Sequence, residues 1–146
     1  MPEPGRVLGV DFGTRRIGLA ISDSEGAIAF PAGTLVRRGL RRDLEALAAL
    51  AGEREVRRIV VGLPLHMNGR RGPEAQAAEA FAERLAEATG LPVDLLDERW
   101  TTVQAERALR EAGGSGRKRR EAVDSVAATL LLQTYLETRA RAAEER

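Results

Sequence analysis

A carboxylate at the end of a predicted strand is the first candidate for chemistry in this sequence. Asp11 follows the apolar segment 7–10 and precedes a turn containing Gly13, after which residues 17–21 form a second apolar segment. Short β-branched runs bounded by glycine and charge predict two strands joined by a turn. Gly13 and Gly18 let an ion or a phosphate approach the main chain, because glycine has no Cβ. Asp11 would then be held at a sheet edge, where it could bind a metal ion; alternatively, it only ends the strand and hydrogen-bonds its own turn.

Two adjacent acids, Asp97 and Glu98, follow another predicted strand over residues 92–96. Because successive side chains of an extended chain point to opposite sides, only one of the two should face a site at this edge. The alternation alone leaves open which one does so. The alternative interpretation is an exposed, charged strand end formed by both acids and Arg99.

Asp124 is a candidate from the predicted last helix, which is expected to begin near Glu121. Ala127 and Ala128 are small, so they would let this helix approach the sheet closely and bring Asp124 toward Asp11. An aspartate near a helix amino terminus is also stabilised by the helix dipole alone, by roughly 0.3–1 kcal/mol. A structural role is therefore the competing interpretation.

Acids that converge from separate elements repel one another unless divalent cations lie between them. Two such ions about 4 Å apart would activate a water molecule and stabilise the leaving oxygen of a phosphodiester. This chemistry needs no nucleophilic side chain, which suits a chain that has no cysteine. The one histidine, His66, falls in a glycine-containing loop, and we expect it to face solvent.

Arginines near these acids are candidates for binding substrate phosphates, because the planar guanidinium matches phosphate oxygens. Trp100 is the one candidate for stacking on a base, with a core position as the alternative. For many of the adjacent arginine pairs the simpler explanation is a GC-rich genome, which encodes basic positions as arginine. The assigned phosphate-binding residues are Arg15, Arg70, Arg71, Arg99 and the basic cluster Arg117, Lys118, Arg119 and Arg120.

The elements that position these residues follow a β-β-β-α-β-α-β-α-α order. Period-2 and period-3.6 apolar patterns predict strands near residues 7–10, 17–21, 27–36, 56–64 and 92–96, and helices near 40–52, 74–90, 101–112 and from 121 onward. Pro31 places the third strand at a sheet edge. A three-stranded meander followed by alternating strands and helices predicts an α/β fold of the ribonuclease H-like order, a five-stranded mixed sheet with helices on both faces. Ligands gather at the carboxyl ends of parallel strands, where we expect Asp11, the loop over 63–73 and the adjacent acids Asp97 and Glu98.

Length and composition limit the class of protein. The 146 residues suit a single domain over residues 1–146, and the absence of cysteine excludes disulfides and thiolate zinc sites. The sequence has no apolar run of membrane-spanning length and its amino terminus lacks the apolar core of a signal peptide, which together predict a cytoplasmic protein without a membrane partner. The net charge of +1 does not by itself argue for a nucleic-acid partner.

Four segments together resemble the YqgF/RuvX family of bacterial RuvC-like nucleases. The segments are residues 10–18, 60–64, 97–102 and 124–128, and the resemblance covers nearly the whole chain. It implies a ribonuclease H-like fold, maturation of the 5′ end of pre-16S ribosomal RNA, and Mg²⁺ or Mn²⁺ held by Asp11, Glu98 and Asp124. The chain departs from junction resolvases of this fold because it has no acid at the end of the central strand, where Leu63 and Pro64 stand.

The sequence is also compatible with other functions. Holliday junction resolution is the alternative within the family, and it would need a dimer that cuts two strands symmetrically, whereas a monomer suffices for one RNA end. A non-catalytic, nucleic-acid-binding ribosome-assembly factor is a second alternative. Residues 11–14 also resemble the first phosphate loop of actin-like and sugar-kinase ATPases, but the chain lacks the residues for the second lobe that such proteins close over ATP.

Overall fold

The computed structural model describes the backbone of residues 5–99 and 116–144, and the side chains of residues 5–99 and 125–144. The elements are β1 (Arg6–Phe12), β2 (Arg16–Ser22), β3 (Ala29–Val36), α1 (Leu40–Glu53), β4 (Val56–Leu63), α2 (Pro73–Thr89), β5 (Val93–Asp97) and α3 (Gly116–Glu144). The predicted helix over 101–112 lies outside the described residues. No helix within the described ranges is both long and apolar enough to cross a membrane.

Five strands form one mixed sheet in the order β3-β2-β1-β4-β5. The first three strands pair antiparallel as a meander, while β1 pairs parallel with β4, and β4 with β5. Val10 on β1 pairs with Leu19 on one side and with Val61 on the other, so β1 is the central strand. The strand that ends at Leu63, expected from its sequence to be central, is β4 and lies beside β1. Pro31 lies on β3, which is an edge strand as predicted.

Helices cover both faces of this sheet. Leu8 and Val10 on β1 face a core with α1 and α2, whereas Val7 faces a second core with α3, because alternate residues of a strand point to opposite faces. Gly9 also faces α3, and a Cβ added there would lie 2.9 Å from Leu132 Cβ. This glycine therefore allows α3 to approach the centre of the sheet closely.

The third strand begins two residues later than predicted. Asp23 explains the difference, since its Oδ1 accepts hydrogen bonds from the backbone N–H groups of Ala27 (2.7 Å) and Ile28 (2.9 Å). The Asp23 side chain thus satisfies donors that a longer strand would have used in its ladder. These bonds also lower the pKa of Asp23.

The prediction that the last helix begins near Glu121 is wrong by about one turn, because α3 begins at Gly116. The predicted break rested on the glycines at 113, 114 and 116 and on the basic cluster that follows them. Lysine and arginine are good helix formers, so the basic cluster continues the helix. The end of α2 agrees with the prediction, since Gly90 caps it with a left-handed φ of 70°.

Candidate active site

Asp11 lies near the carboxyl end of the central strand. It pairs with Gly18 on β2 and is partly exposed. Because β1, β4 and β5 run parallel, their carboxyl ends meet at the same edge of the sheet, which we call the carboxyl edge. The strand therefore presents the Asp11 carboxylate at the edge where ligands bind in open α/β sheets.

Glu98 lies at the same edge, at the end of β5, which is two strands away from β1 in the sheet. It directly follows β5, and its backbone N–H donates to the carbonyl of Leu63 at 3.2 Å. The Glu98 side chain is buried, with 8% of its residue surface exposed. It lies against Gly62 on β4, where an added Cβ would overlap the Glu98 carboxylate. Gly62 thus makes the space into which the acid folds.

Glu98 and Asp11 are in hydrogen-bond contact, and we call them the carboxylate pair. Burial of the Glu98 carboxyl, then the negative charge of Asp11 and the hydrogen bond between the two, raise the pKa of Glu98 from 4.5 to about 9. The charge of Asp97 adds to this effect. Without a bound cation, the pair therefore holds a proton at neutral pH.

Asp97, the other of the two adjacent acids, binds Arg99. Its Oδ2 accepts hydrogen bonds from Arg99 Nε (2.9 Å) and Nη2 (2.7 Å). Burial opposes ionisation of Asp97, but the hydrogen bonds and the charge of Arg99 outweigh it and lower the pKa. Of the two adjacent acids, Glu98 is therefore the one that the structure places beside Asp11.

Asp124 belongs to the first half of α3, and its side chain lies outside the described residues. Its neighbour Ser125 donates from Oγ to the Leu19 carbonyl at 3.4 Å. Leu19 pairs with Val10, one residue before Asp11, so the backbone at Asp124 passes over the same end of the sheet. Within the described side chains, no three acids or histidines form a group that could hold a metal ion.

The turn after β1 is held by an arginine that the sequence analysis did not single out. Arg37 donates to Asp43 Oδ2 at 3.1 Å and to the Gly13 carbonyl at 3.4 Å. Its guanidinium lies 4.5 Å from the centre of the Phe12 ring, which in turn stacks on Phe81 at 4.2 Å. These contacts fix the backbone that directly follows the first acid of the carboxylate pair.

Comparison with known proteins identifies the family. The model of the RuvX family, described as a Holliday junction resolvase, matches residues 5–138. The chain is 48% identical over 149 residues to a "Putative pre-16S rRNA nuclease" of Koribacter versatilis, which covers 99% of this chain and 97% of that protein. The chain belongs to the RuvX family. A protein of the same name from Moorella thermoacetica is 50% identical over 132 residues, with 90% and 94% of the two chains covered.

The fold of this RuvX chain resembles that of RuvC from Thermus thermophilus, solved in complex with a Holliday junction substrate. The TM-score is 0.57 at 15% identity, and the match covers 93% of this chain and 96% of that one. At this identity the likeness concerns the fold alone. It confirms the predicted ribonuclease H-like sheet with helices on both faces.

The predicted phosphate-binding arginines of this RuvX chain differ in how they are held. Arg15 and Arg70 are exposed, in the turn after β1 and in the loop after β4. Arg71 pairs with Glu79 on α2 at 2.7 Å, and Arg99, already bound to Asp97, also donates to the Met67 carbonyl. The backbone of the cluster 117–120 is helical, and its side chains, like all of Trp100, lie outside the described residues.

Gly62 and Arg37 are the site residues that sequence reasoning missed in this RuvX chain. A signal for Gly62 exists, since glycine inside a strand often marks a close approach by another group. For Arg37 the motifs carry no such signal, because its main partner Asp43 lies across the boundary between β3 and α1. His66 is exposed, and its ring lies against Gly72.

Proposed function

We propose that this RuvX chain is a cytoplasmic, divalent-metal-dependent nuclease that processes the 5′ end of pre-16S ribosomal RNA. The observation that carries the proposal is the carboxylate pair at the carboxyl edge of the sheet. A buried glutamate beside a second acid, with a pKa raised to about 9, is costly unless a ligand uses it. The names of the relatives from Koribacter and Moorella support the choice of substrate.

The donor atoms at this edge suit Mg²⁺ or Mn²⁺, which prefer oxygen ligands. Asp11 and Glu98 would hold the ion, and Asp124 is the third candidate ligand because its backbone passes over the same end of the sheet. When bound, such an ion lowers the pKa of water and stabilises the leaving oxygen of a phosphodiester. A cation would also compensate the charge that now keeps Glu98 protonated.

The side chains of the protein have separate tasks in this proposal. Glu98 would hold a cation only as the carboxylate, so metal binding should release a proton and strengthen as pH rises. Arg15 and Arg70, which are exposed near the same edge, bind phosphates on either side of the scissile bond. Arg37 keeps the turn after Asp11 rigid, which holds that carboxylate in position.

Cleavage of an end-labelled RNA that carries the pre-16S 5′ leader tests this function. The assay compares Mn²⁺, Mg²⁺ and EDTA for the wild type, Asp11→Asn, Glu98→Gln and Asp97→Asn. We expect EDTA, Asp11→Asn and Glu98→Gln each to lower the rate by at least about 100-fold. Asp97→Asn, the matched control on the neighbouring residue, should retain most of the activity. Equal rates for the wild type and Asp11→Asn would contradict the proposal.

Holliday junction resolution is the second candidate, favoured by the family description and by the RuvC fold. A four-way DNA junction in the same assay tests it. Symmetric cutting requires a dimer, so the oligomeric state is measured by analytical ultracentrifugation with and without the junction. Metal-dependent cutting of the junction but not of the RNA would select resolution. Binding of RNA without any cleavage would select a ribosome-assembly factor instead.

A further inference from the structure

A cavity of about 310 Å³ lies at the opposite end of the sheet from the carboxylate pair. The starts of β1 and β4, the turn between β2 and β3, and the second half of α3 enclose it. Its lining includes two acids, Glu25 and Glu137, and twice as many arginines. We call this cavity the arginine pocket; the arginines are Arg6, Arg57, Arg58 and Arg139.

Two of these arginines are held in place by one partly buried polar cluster. Arg58 pairs with Asp94 at 3.1 Å, and Arg139 donates to the Tyr135 hydroxyl at 3.2 Å. The Tyr135 hydroxyl in turn donates to Asp94. The cluster thus contains one carboxylate and two guanidinium groups, so it keeps a net positive charge and holds hydrogen-bond donors at the wall of the pocket.

Arg57 and Arg6 complete the basic wall. The Cγ of Arg57 lies 2.8 Å from where a Cβ would stand on Gly5, so the arginine side chain lies across this glycine. Arg57 is exposed, and among the described residues its guanidinium forms no ion pair. Arg6 donates from Nη1 to the Arg54 carbonyl at 3.0 Å, which leaves its other nitrogens available.

We propose that the arginine pocket binds backbone phosphates of the nucleic-acid strand that is cut at the carboxylate pair. This inference rests on the proposed nuclease function. Four arginines against two acids in the lining of one cavity give it a net positive charge, and arginine suits phosphate oxygens better than other ligands. The seven residues of β1 separate the two ends of the sheet by roughly 23 Å, at about 3.3 Å per residue. A helical strand with one phosphate per ~3.4 Å would span this distance in about seven nucleotides.

The proposal is tested by the equilibrium binding of a fluorescein-labelled 24-nucleotide RNA. Binding is measured by fluorescence anisotropy in EDTA at several salt concentrations. The test variant is Arg57→Ala/Arg139→Ala. The matched control is Arg41→Ala/Arg42→Ala, which removes the same charge from the exposed face of α1. We expect the test variant to lower the logarithmic salt slope by about 1.4, since each lost single-strand contact removes about 0.7. The control should leave the slope unchanged.

Arg139 contacts Tyr135, so the single variant Arg57→Ala provides a second measurement that does not disturb the polar cluster. It should lower the slope by about 0.7 and raise the Kd roughly eightfold at 50 mM salt. A slope equal to that of the wild type in both test variants would overturn the proposal. An equal loss in the α1 control would also overturn it, because the effect would then reflect overall charge.

Two additional ligands separate the possible sources of phosphate. A labelled four-nucleotide RNA is too short to reach both ends of the sheet, so a strand held at both ends predicts that it binds more weakly than the 24-nucleotide RNA. AMP and inorganic phosphate compete for the pocket directly; if AMP binds in an Arg57-dependent way while the 24-nucleotide RNA does not, the pocket serves a free nucleotide and the proposal fails. Because EDTA removes cleavage from the assay, loss of nuclease activity alone does not decide this outcome.

Discussion

The two ends of β5 carry carboxylates with opposite surroundings. Asp94, near the start of the strand, lies between Arg58 and the hydroxyl of Tyr135, so its charge is compensated. Glu98, just past the end, is buried against Gly62 and meets a second acid. The difference shows how each carboxylate is accommodated: at one end protein groups supply the counter-charge, and at the other end the buried glutamate keeps a proton.

The pKa values reflect the same contrast. Burial, followed by the hydrogen bond to Asp94, raises the pKa of the Tyr135 hydroxyl, which therefore stays protonated and donates. The pKa of Glu98 rises to about 9 because burial and the charge of Asp11 both oppose its ionisation. Protein groups alone satisfy the first cluster, while the second keeps a proton that a metal ion would displace.

The largest expected effect comes from filling the space at Gly62. In Gly62→Ala the new Cβ occupies the position of the Glu98 carboxylate and pushes it away from Asp11. We expect cleavage to fall about 100-fold, the cost of displacing a catalytic group by about 1 Å, and Mn²⁺ affinity measured by calorimetry to fall with it. Stability in urea should drop by roughly 1–3 kcal/mol.

Gly52→Ala is the matched control for this substitution, because a Cβ added at Gly52 meets no atom within 4 Å. This change within α1 should stabilise the protein by about 0.5–1 kcal/mol and leave cleavage unaffected. If Gly62→Ala binds Mn²⁺ and cleaves RNA as the wild type does, the buried position of Glu98 is not needed for the site.

The second effect is a fall in stability with rising pH that the carboxylate pair should produce. Between pH 4.5 and about 9 the folded protein holds a proton on Glu98 that the unfolded chain has lost. Since the folded state then binds more protons, the free energy of unfolding falls as pH rises, by at most about 1.4 kcal/mol per pH unit. Urea denaturation in EDTA at pH 5, 6, 7 and 8 measures this slope.

Glu98→Gln keeps the shape of the side chain and cannot ionise, so its slope should be flatter and its stability at pH 8 higher than that of the wild type. Saturating Mn²⁺ should flatten the slope of the wild type but not change that of the variant. Parallel slopes for the two proteins in EDTA would show that the raised pKa of Glu98 does not influence folding.

Short-range sequence patterns predicted most of the fold. The order of the strands along the chain followed from apolar periodicity, and the edge position of β3 followed from Pro31. The boundaries that differ depend on side chains that the periodicity does not contain. Asp23 shortened β3 by binding two backbone amides, and the basic residues after Gly116 extended α3 because they are good helix formers.

Long-range contacts decided the rest of the site. Strand periodicity placed Asp11 at the end of β1, but alternation left Asp97 and Glu98 equivalent. The register that pairs Leu63 with Asp97, together with the space at Gly62, turns Glu98 inward. The arginine pocket was not predictable either, because its four arginines are far apart in the sequence, from Arg6 on β1 to Arg139 on α3.

The smallest expected effect comes from weakening the compensated end of β5. Tyr135→Phe removes the hydroxyl that donates to Asp94 and accepts from Arg139. Asp94 keeps its ion pair with Arg58, so we expect a loss of only about 1 kcal/mol in the free energy of unfolding. At saturating RNA the rate of cleavage should be unchanged, since the carboxylate pair lies at the other end of the strand.

A double-mutant cycle with Asp94→Asn isolates the bond between Tyr135 and Asp94 from the other contacts of either residue. We expect a coupling energy of about 0.5–1.5 kcal/mol, measured by urea denaturation at pH 7. A coupling within about 0.3–0.5 kcal/mol of zero, the scatter of independent sites, would mean that Arg58 alone compensates Asp94. The two ends of β5 would then differ because a single arginine, Arg58, lies beside Asp94, and not because Asp94 belongs to a cooperative cluster. The position of Arg139 in the arginine pocket would then have a cause other than this cluster.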